Sequence, residues 1–122
     1  MLATACPCGS GEREDRCCGR LHRGARLAGS PVELMRARYS AYALGRLDFV
    51  HASWHPRTRP DLEELRSAPQ PEWTGLEVHG YGEDWVEFTA RFTSGGEAGA
   101  LHERSRFARR AGRWFYLDGD LT

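Results

Sequence analysis

Four cysteines fall within thirteen residues, as Cys6-Pro7-Cys8 and then Cys17-Cys18. Thiols this close together are better explained by a tetrahedral Zn²⁺ than by disulfides in a chain that lacks the charged and apolar regions of a signal peptide. A reducing cytoplasm keeps thiols free, zinc takes four thiolates readily, and a vicinal Cys17–Cys18 disulfide is strained. Residues 5–20 therefore read as a zinc knuckle with Cys6, Cys8, Cys17 and Cys18 as ligands, in a protein expected to be cytoplasmic. Pro7 sets φ between two ligands, and Gly9 and Gly11 let the backbone turn and aim N–H groups at sulfur. Four thiolates around one Zn²⁺ carry a formal charge of about −2, which Arg13, Arg16 and Arg20 are placed to moderate. Such a site is closed, so the metal reads as structural. His22 is either an alternative fourth ligand or an exposed neighbour of the metal. Gly9-Ser10-Gly11 is no phosphate loop, since it has neither the lysine nor the preceding strand.

The order Cys6-Pro7-Cys8-Gly9-Ser10-Gly11 followed by Cys17-Cys18-Gly19 resembles the SEC-C motif, the zinc-binding tail also found on the SecA translocation ATPase. The resemblance implies that the four cysteines are the metal ligands. The chain departs from that motif over Gly11-Glu12-Arg13-Glu14-Asp15, where lysines and an aromatic are usual. The resemblance thus extends to the metal, not to a partner contact that needs those basic residues.

The elements that must position this chemistry come from the rest of the chain. It has 122 residues and a formal net charge of zero, so no whole-molecule field draws it to nucleic acid or anionic membrane. Every basic residue is Arg, which excludes Schiff-base chemistry on lysine. No apolar run is long enough to span a membrane. Residues 19–30 read as a linker. Ser30-Pro31-Val32-Glu33 is a capping box with proline at the first helical position, and it predicts a helix to Leu44, closed by Gly45. Leu34, Met35, Tyr39, Tyr42 and Ala43 give that helix a broad apolar face, with Arg38 beside it. Asp48 is expected to cap a second helix through Trp54, with His51 and His55 alongside and partly buried against backbone. A third short helix covers residues 61–65.

From Thr74 the period falls to two. The pattern predicts strands over 74–79, 85–93, 100–109 and 113–118, and helices followed by an antiparallel meander make the fold class α+β. In the third strand Leu101 and Phe107 mark the inward side, which places Glu103 and Ser105 inward too. A carboxylate in a core needs a partner or becomes neutral. Arg38 is the expected partner, and the pair serves either as a structural salt bridge or in binding a ligand.

Leu34 to Tyr42, Ser53-Trp54-His55-Pro56, Leu101 to Phe107 and Gly112 to Gly119 together resemble the bacterial YchJ family. Its members join an N-terminal SEC-C motif to a nuclear-transport-factor-2-like (NTF2-like) domain. The resemblance implies a cone, a curved antiparallel sheet wrapped around N-terminal helices with a pocket at its open end. Residues 1–28 are then knuckle and linker, and 29–122 the cone. Many relatives carry a second SEC-C motif after the cone, and residues up to Thr122 hold none. Apolar residues on both faces of the last strand, Trp114 and Tyr116 against Phe115 and Leu117, predict a homodimer. Two function classes follow. In the first, a binding module, the knuckle and the arginines around it contact a protein or ribosomal partner, with the cone as dimerising scaffold. In the second, a small-molecule-binding protein or an isomerase- or hydrolase-like enzyme, Glu103 is acid or base and Arg38, Tyr39, Trp54, His55 and Ser105 line the pocket. The knuckle and its local basic excess place the binding module first.

Overall fold

The computed structural model describes residues 4–122; the first three residues of the knuckle unit lie outside that range. A 3₁₀ turn over Glu14–Arg16 leads into helix α1, Cys18–His22. The expected linker is thus helical at its start, because Leu21 is buried with the cysteines. Helix α2, Pro31–Leu44, forms as the capping box requires. Ser30 Oγ accepts from the Glu33 N–H at 3.3 Å, and the Glu33 carboxylate accepts from the Gly29 N–H at 2.6 Å, one residue outside the cap. Gly45 ends it in the left-handed conformation, with φ 74°.

Helix α3, Leu47–Ala52, starts before the expected Asp48 cap. Asp48 lies inside the first turn and accepts from Arg66 of α4, Leu62–Ser67, at 2.7 Å. The sheet runs β1 Glu72–Tyr81, β2 Trp85–Ser94, β3 Glu97–Arg110 and β4 Arg113–Leu121, antiparallel in the order β1-β2-β3-β4. Strand β1 begins directly after Pro71, two residues earlier than the alternation suggests, and so takes in Trp73.

One irregularity in the sheet decides what the cavity contains. The β3–β4 register passes from Arg106↔Asp118 to Phe107↔Tyr116, so Leu117 is an extra residue in β4. A bulge of this kind reverses which residues face inward. Trp114 and Tyr116 face inward before it, and Gly119, paired with Ser105, faces inward after it. Asp118 and Asp120 therefore turn outward, where both hold Arg106.

Helix α2 is buried on two sides. Leu34 and Met35 pack with Val86 and Phe107 of the sheet, while Ala37 packs with Cys6, Cys8, Cys18 and Leu21. Its small residues Ala37, Ser40 and Ala41, all with essentially no exposure, let neighbouring segments approach the helix backbone closely. Among the described residues no helix is long and apolar enough to cross a membrane.

Candidate functional site

The knuckle folds around its own backbone. The Cys6 N–H donates to the Glu12 carbonyl at 2.9 Å, and the Gly9 N–H to the Cys6 carbonyl at 3.2 Å. Gly9 and Gly11 take φ of 83° and 84°, which only glycine adopts without strain. The four Sγ atoms lie within 4.8 Å of one another, and Cys8 Sγ is 3.7 Å from Cys17 Sγ. A tetrahedral tetrathiolate with metal–sulfur bonds of about 2.3 Å spaces its sulfurs about 3.8 Å apart, so this cluster can bind a metal. Left to themselves the thiols share protons. A hydrogen bond from Cys18 holds Cys8 down to about 4, whereas the same bond pushes Cys18 up and burial raises Cys17. Charge on one sulfur opposes charge on the next, and a dication removes that opposition.

His22 is not a ligand. Its Nε2–H donates to the Ala37 carbonyl at 2.8 Å, its Nδ1 accepts from Arg46 at 2.9 Å, and its ring stacks on Phe49 at 4.8 Å. The histidine fastens α1 to α2, and burial lowers its pKa. Two further bonds fasten the first cysteine loop to the same helix: Cys6 Sγ to Ser40 Oγ at 3.4 Å and Arg36 to the Cys8 carbonyl at 3.0 Å. Of the arginines expected to moderate sulfur charge, Arg13 lies on Asp15 and Arg20 on the Cys17 carbonyl. Arg36 has the closer role.

The second site is a cavity of about 280 Å³ between the sheet and helix α2. Arg38, Tyr39, Trp54, Glu103 and Ser105 line it. His55 does not. Ser53–His55 runs alongside β4, with the Tyr116 N–H on the Ser53 carbonyl at 2.9 Å and the His55 N–H on the Tyr116 carbonyl at 2.7 Å. Neighbouring residues of an extended segment point to opposite sides, so Trp54 enters the cavity while His55 covers Phe115 outside, ring centroids 6.1 Å apart.

The expected Arg38–Glu103 salt bridge is absent. Arg38, only 6% exposed, donates from Nη1 to the Val50 carbonyl at 2.9 Å and to Ser53 Oγ at 2.7 Å. Its guanidinium lies 4.3 Å from the Tyr116 ring centroid and 5.0 Å from that of Trp54. Among the described residues no carboxylate comes within 4.0 Å of it. Burial lowers its pKa, with Tyr42, Tyr116 and Glu103 opposing, and a guanidinium stays charged in such a setting. Glu103 Oε2 accepts instead from Ser105 Oγ and from the Tyr116 hydroxyl, the latter at 3.3 Å. Burial, then the Glu103 charge, raises the Tyr116 pKa and keeps it a donor. A Cβ on Gly119 would sit 2.5 Å from Glu103 Oε2, so the bare glycine leaves room for the carboxylate.

Tyr116, Ser53 and Gly119 are the residues that sequence reasoning missed. All three lie in the family-like segments Ser53 to Pro56 and Gly112 to Gly119, and Tyr116 also belongs to the apolar pattern of the last strand. Trp73, also on the cavity wall, had none.

The model of the YchJ middle NTF2-like domain matches residues 30–119. A UPF0225 protein of Methylibium petroleiphilum is 50% identical, over 95% of this chain and 88% of its own length. One from Cupriavidus pinatubonensis is 46% identical, over 97% and 89%. The solution structure of a SEC-C motif containing protein from Rhodopseudomonas palustris superposes with a TM-score of 0.87 at 38% identity, covering 98% of this chain and 99% of that one. The crystal structure of another, from Psychrobacter arcticus, gives 0.81 at 26% identity over 98% and 83%.

Proposed function

The chain belongs to the YchJ family of UPF0225 proteins, and from that premise we propose that it is a small-ligand-binding protein. The cavity of the NTF2-like domain is the binding site, and the four-cysteine knuckle is a structural Zn²⁺ centre that braces α2. One observation carries this reading. Arg38 is a buried cation held by neutral partners, on the wall of an open cavity that also contains Glu103. A buried charge without a counterion costs several kcal/mol, and salt-bridging side chains would be the economical arrangement if the cavity existed only to be packed. Holding the two charges apart leaves both available to a third group.

Cys6, Cys8, Cys17 and Cys18 would hold the zinc, which neutralises thiolate charge and cross-links the knuckle. Four thiolates leave no position for water, so the metal has no part in ligand chemistry. The alternative, a knuckle that contacts a protein or ribosomal partner, has less support. Arg13 and Arg26 lie on the carboxylates of Asp15 and Glu33, so part of the basic excess is neutralised locally. The homodimer expectation loses part of its basis as well, because Phe115 is covered within the chain by His55 and Arg113. Light scattering at micromolar concentration decides it, and a monomer removes the idea.

Ligand-observed NMR with a mixed set of small fragments tests the binding reading. Ala90, 3% exposed, lines the cavity from β2, and Ala90→Phe projects a ring into it. Fragments are expected to bind the unaltered chain and to lose binding in A90F while its melt stays cooperative. Binding indifferent to A90F, or none at all, overturns the reading.

A further inference from the structure

The cavity binds some small molecule on the reading above, and from its lining we infer the class: a single-ring aromatic carboxylic acid carrying a hydroxyl group.

Volume limits size. A cavity of about 150 Å³ takes up one benzene, and this one is about 280 Å³. That is room for one ring with polar substituents. The walls select an aromatic ring, since Tyr39, Tyr42, Trp54, Trp73, Phe88 and Phe107 all contribute. Trp73 alone takes part in edge or tilted contacts with Tyr39, Tyr42 and Phe92, at 5.6 to 6.3 Å between centroids. Such an aromatic box favours a flat guest.

Charge sets the polar groups. Arg38 is fixed at one end, with Nη1 occupied by the Val50 carbonyl and Ser53 Oγ. Ser53 Oγ in turn donates to the Phe49 carbonyl at 2.8 Å, so the serine presents only a lone pair to the arginine. The guanidinium carbon lies 4.3 Å from the Tyr116 ring centroid and 5.0 Å from that of Trp54. Nη2 and Nε have no protein acceptor among the described residues, and a planar two-oxygen anion matches that edge. At the other charge, Ser105 and Tyr116 both donate to Glu103 Oε2, which leaves Oε1 to accept from the guest. Donors outnumber acceptors in the wall. The free guanidinium edge donates and Glu103 Oε1 accepts, so the lining suits a guest with an anionic pair of oxygens and one hydroxyl to give.

Isothermal titration of the full chain, purified without chelator, with benzoate, 4-hydroxybenzoate, benzamide and phenol tests this. Benzoate is expected to bind at least about tenfold more tightly than benzamide, its neutral isostere, and 4-hydroxybenzoate about fivefold more tightly than benzoate. Arg38→Met should bring the acid and the amide to within about threefold. Glu103→Gln should reduce the advantage of the hydroxyl and leave benzoate unchanged. If R38M does not fold, Ser53→Ala, which removes one of the two acceptors that hold Nη1, is expected to weaken benzoate more than benzamide. Equal binding of acid, amide and phenol overturns the inference and leaves the cavity reading standing. Binding of none of the four overturns it too, and the fragment screen with A90F then judges the cavity separately.

Discussion

The Arg38 guanidinium lies 4.3 Å from the centroid of the Tyr116 ring, and the hydroxyl of that same tyrosine donates to Glu103 at 3.3 Å. One side chain therefore separates the buried cation from the half-buried carboxylate and touches both. Tyr116→Phe keeps the aromatic face and removes only the donor. A hydrogen bond to a charged group contributes about 1.5–3 kcal/mol, so Y116F is expected to lose on the order of 2 kcal/mol in urea unfolding. Tyr116→Leu, which removes the face under Arg38 as well, should lose a further 1 kcal/mol or so. The midpoints are compared at unchanged m-value. A Y116F chain as stable as the parent would mean that the hydroxyl holds nothing.

Alkaline pH provides a separate test of the same wall. Burial raises the pKa of Tyr39, Tyr42 and Tyr116 above the ordinary tyrosine value of 10.0, with Glu103 adding to the shift at Tyr42 and Tyr116. Above pH 10 the unfolded chain releases these protons and the folded chain retains them. The stabilisation is thus complete below the unfolded value and is lost as pH rises through the folded ones. Stability should fall steeply from about pH 10 upward, and Y116F should have a shallower slope. A slope the same in both chains would remove Tyr116 from the account.

Much of this was legible in the sequence, for reasons that are local. The cap of α2 depends on Ser30, Pro31, Glu33 and Gly45, all within or beside the helix itself. The inward side of β3 follows from simple alternation, which correctly places Glu103 and Ser105. The partner of Glu103 was not legible. It depends on Leu117, an extra residue in β4 that no pattern of two reveals, and without which alternation would put Asp118 inward in place of Gly119. Opposite charges in one core attract, which points Arg38 at Glu103, yet the Val50 carbonyl and Ser53 Oγ, at the end of α3, are the groups in reach. His55 was lost for a related reason: the helix stops at Ala52, so a helical face that includes Trp54 and His55 does not exist. The knuckle was read from its cysteines, but its seat on Ala37 and Ser40 was hidden because small residues carry no signal of what they touch.

That seat would give a metal bound at the four cysteines a structural reach beyond the knuckle. Cys6 to Ser40, Arg36 to the Cys8 carbonyl and His22 to the Ala37 carbonyl tie the ligand loops to one side of α2. Arg38 and Tyr39 leave the same helix toward the cavity. A strong chelator with a mercurial should release one zinc per chain, read with a colorimetric indicator. The folded chain should then lose the free energy of metal binding that was coupled to folding. A detached knuckle would unfold alone and leave the melt of residues 30–119 in place. With Ala37 shared between the two parts, Cys8→Ser or chelation is expected to lower the single melting transition of the whole chain by about 10 °C. Hydrogen exchange locates the effect: amides of Arg36 to Ala41 should lose protection together with those of the knuckle. If only residues 4–23 lose protection and the melt is unmoved, the metal braces nothing outside its own loops, and the contacts to α2 carry no energy.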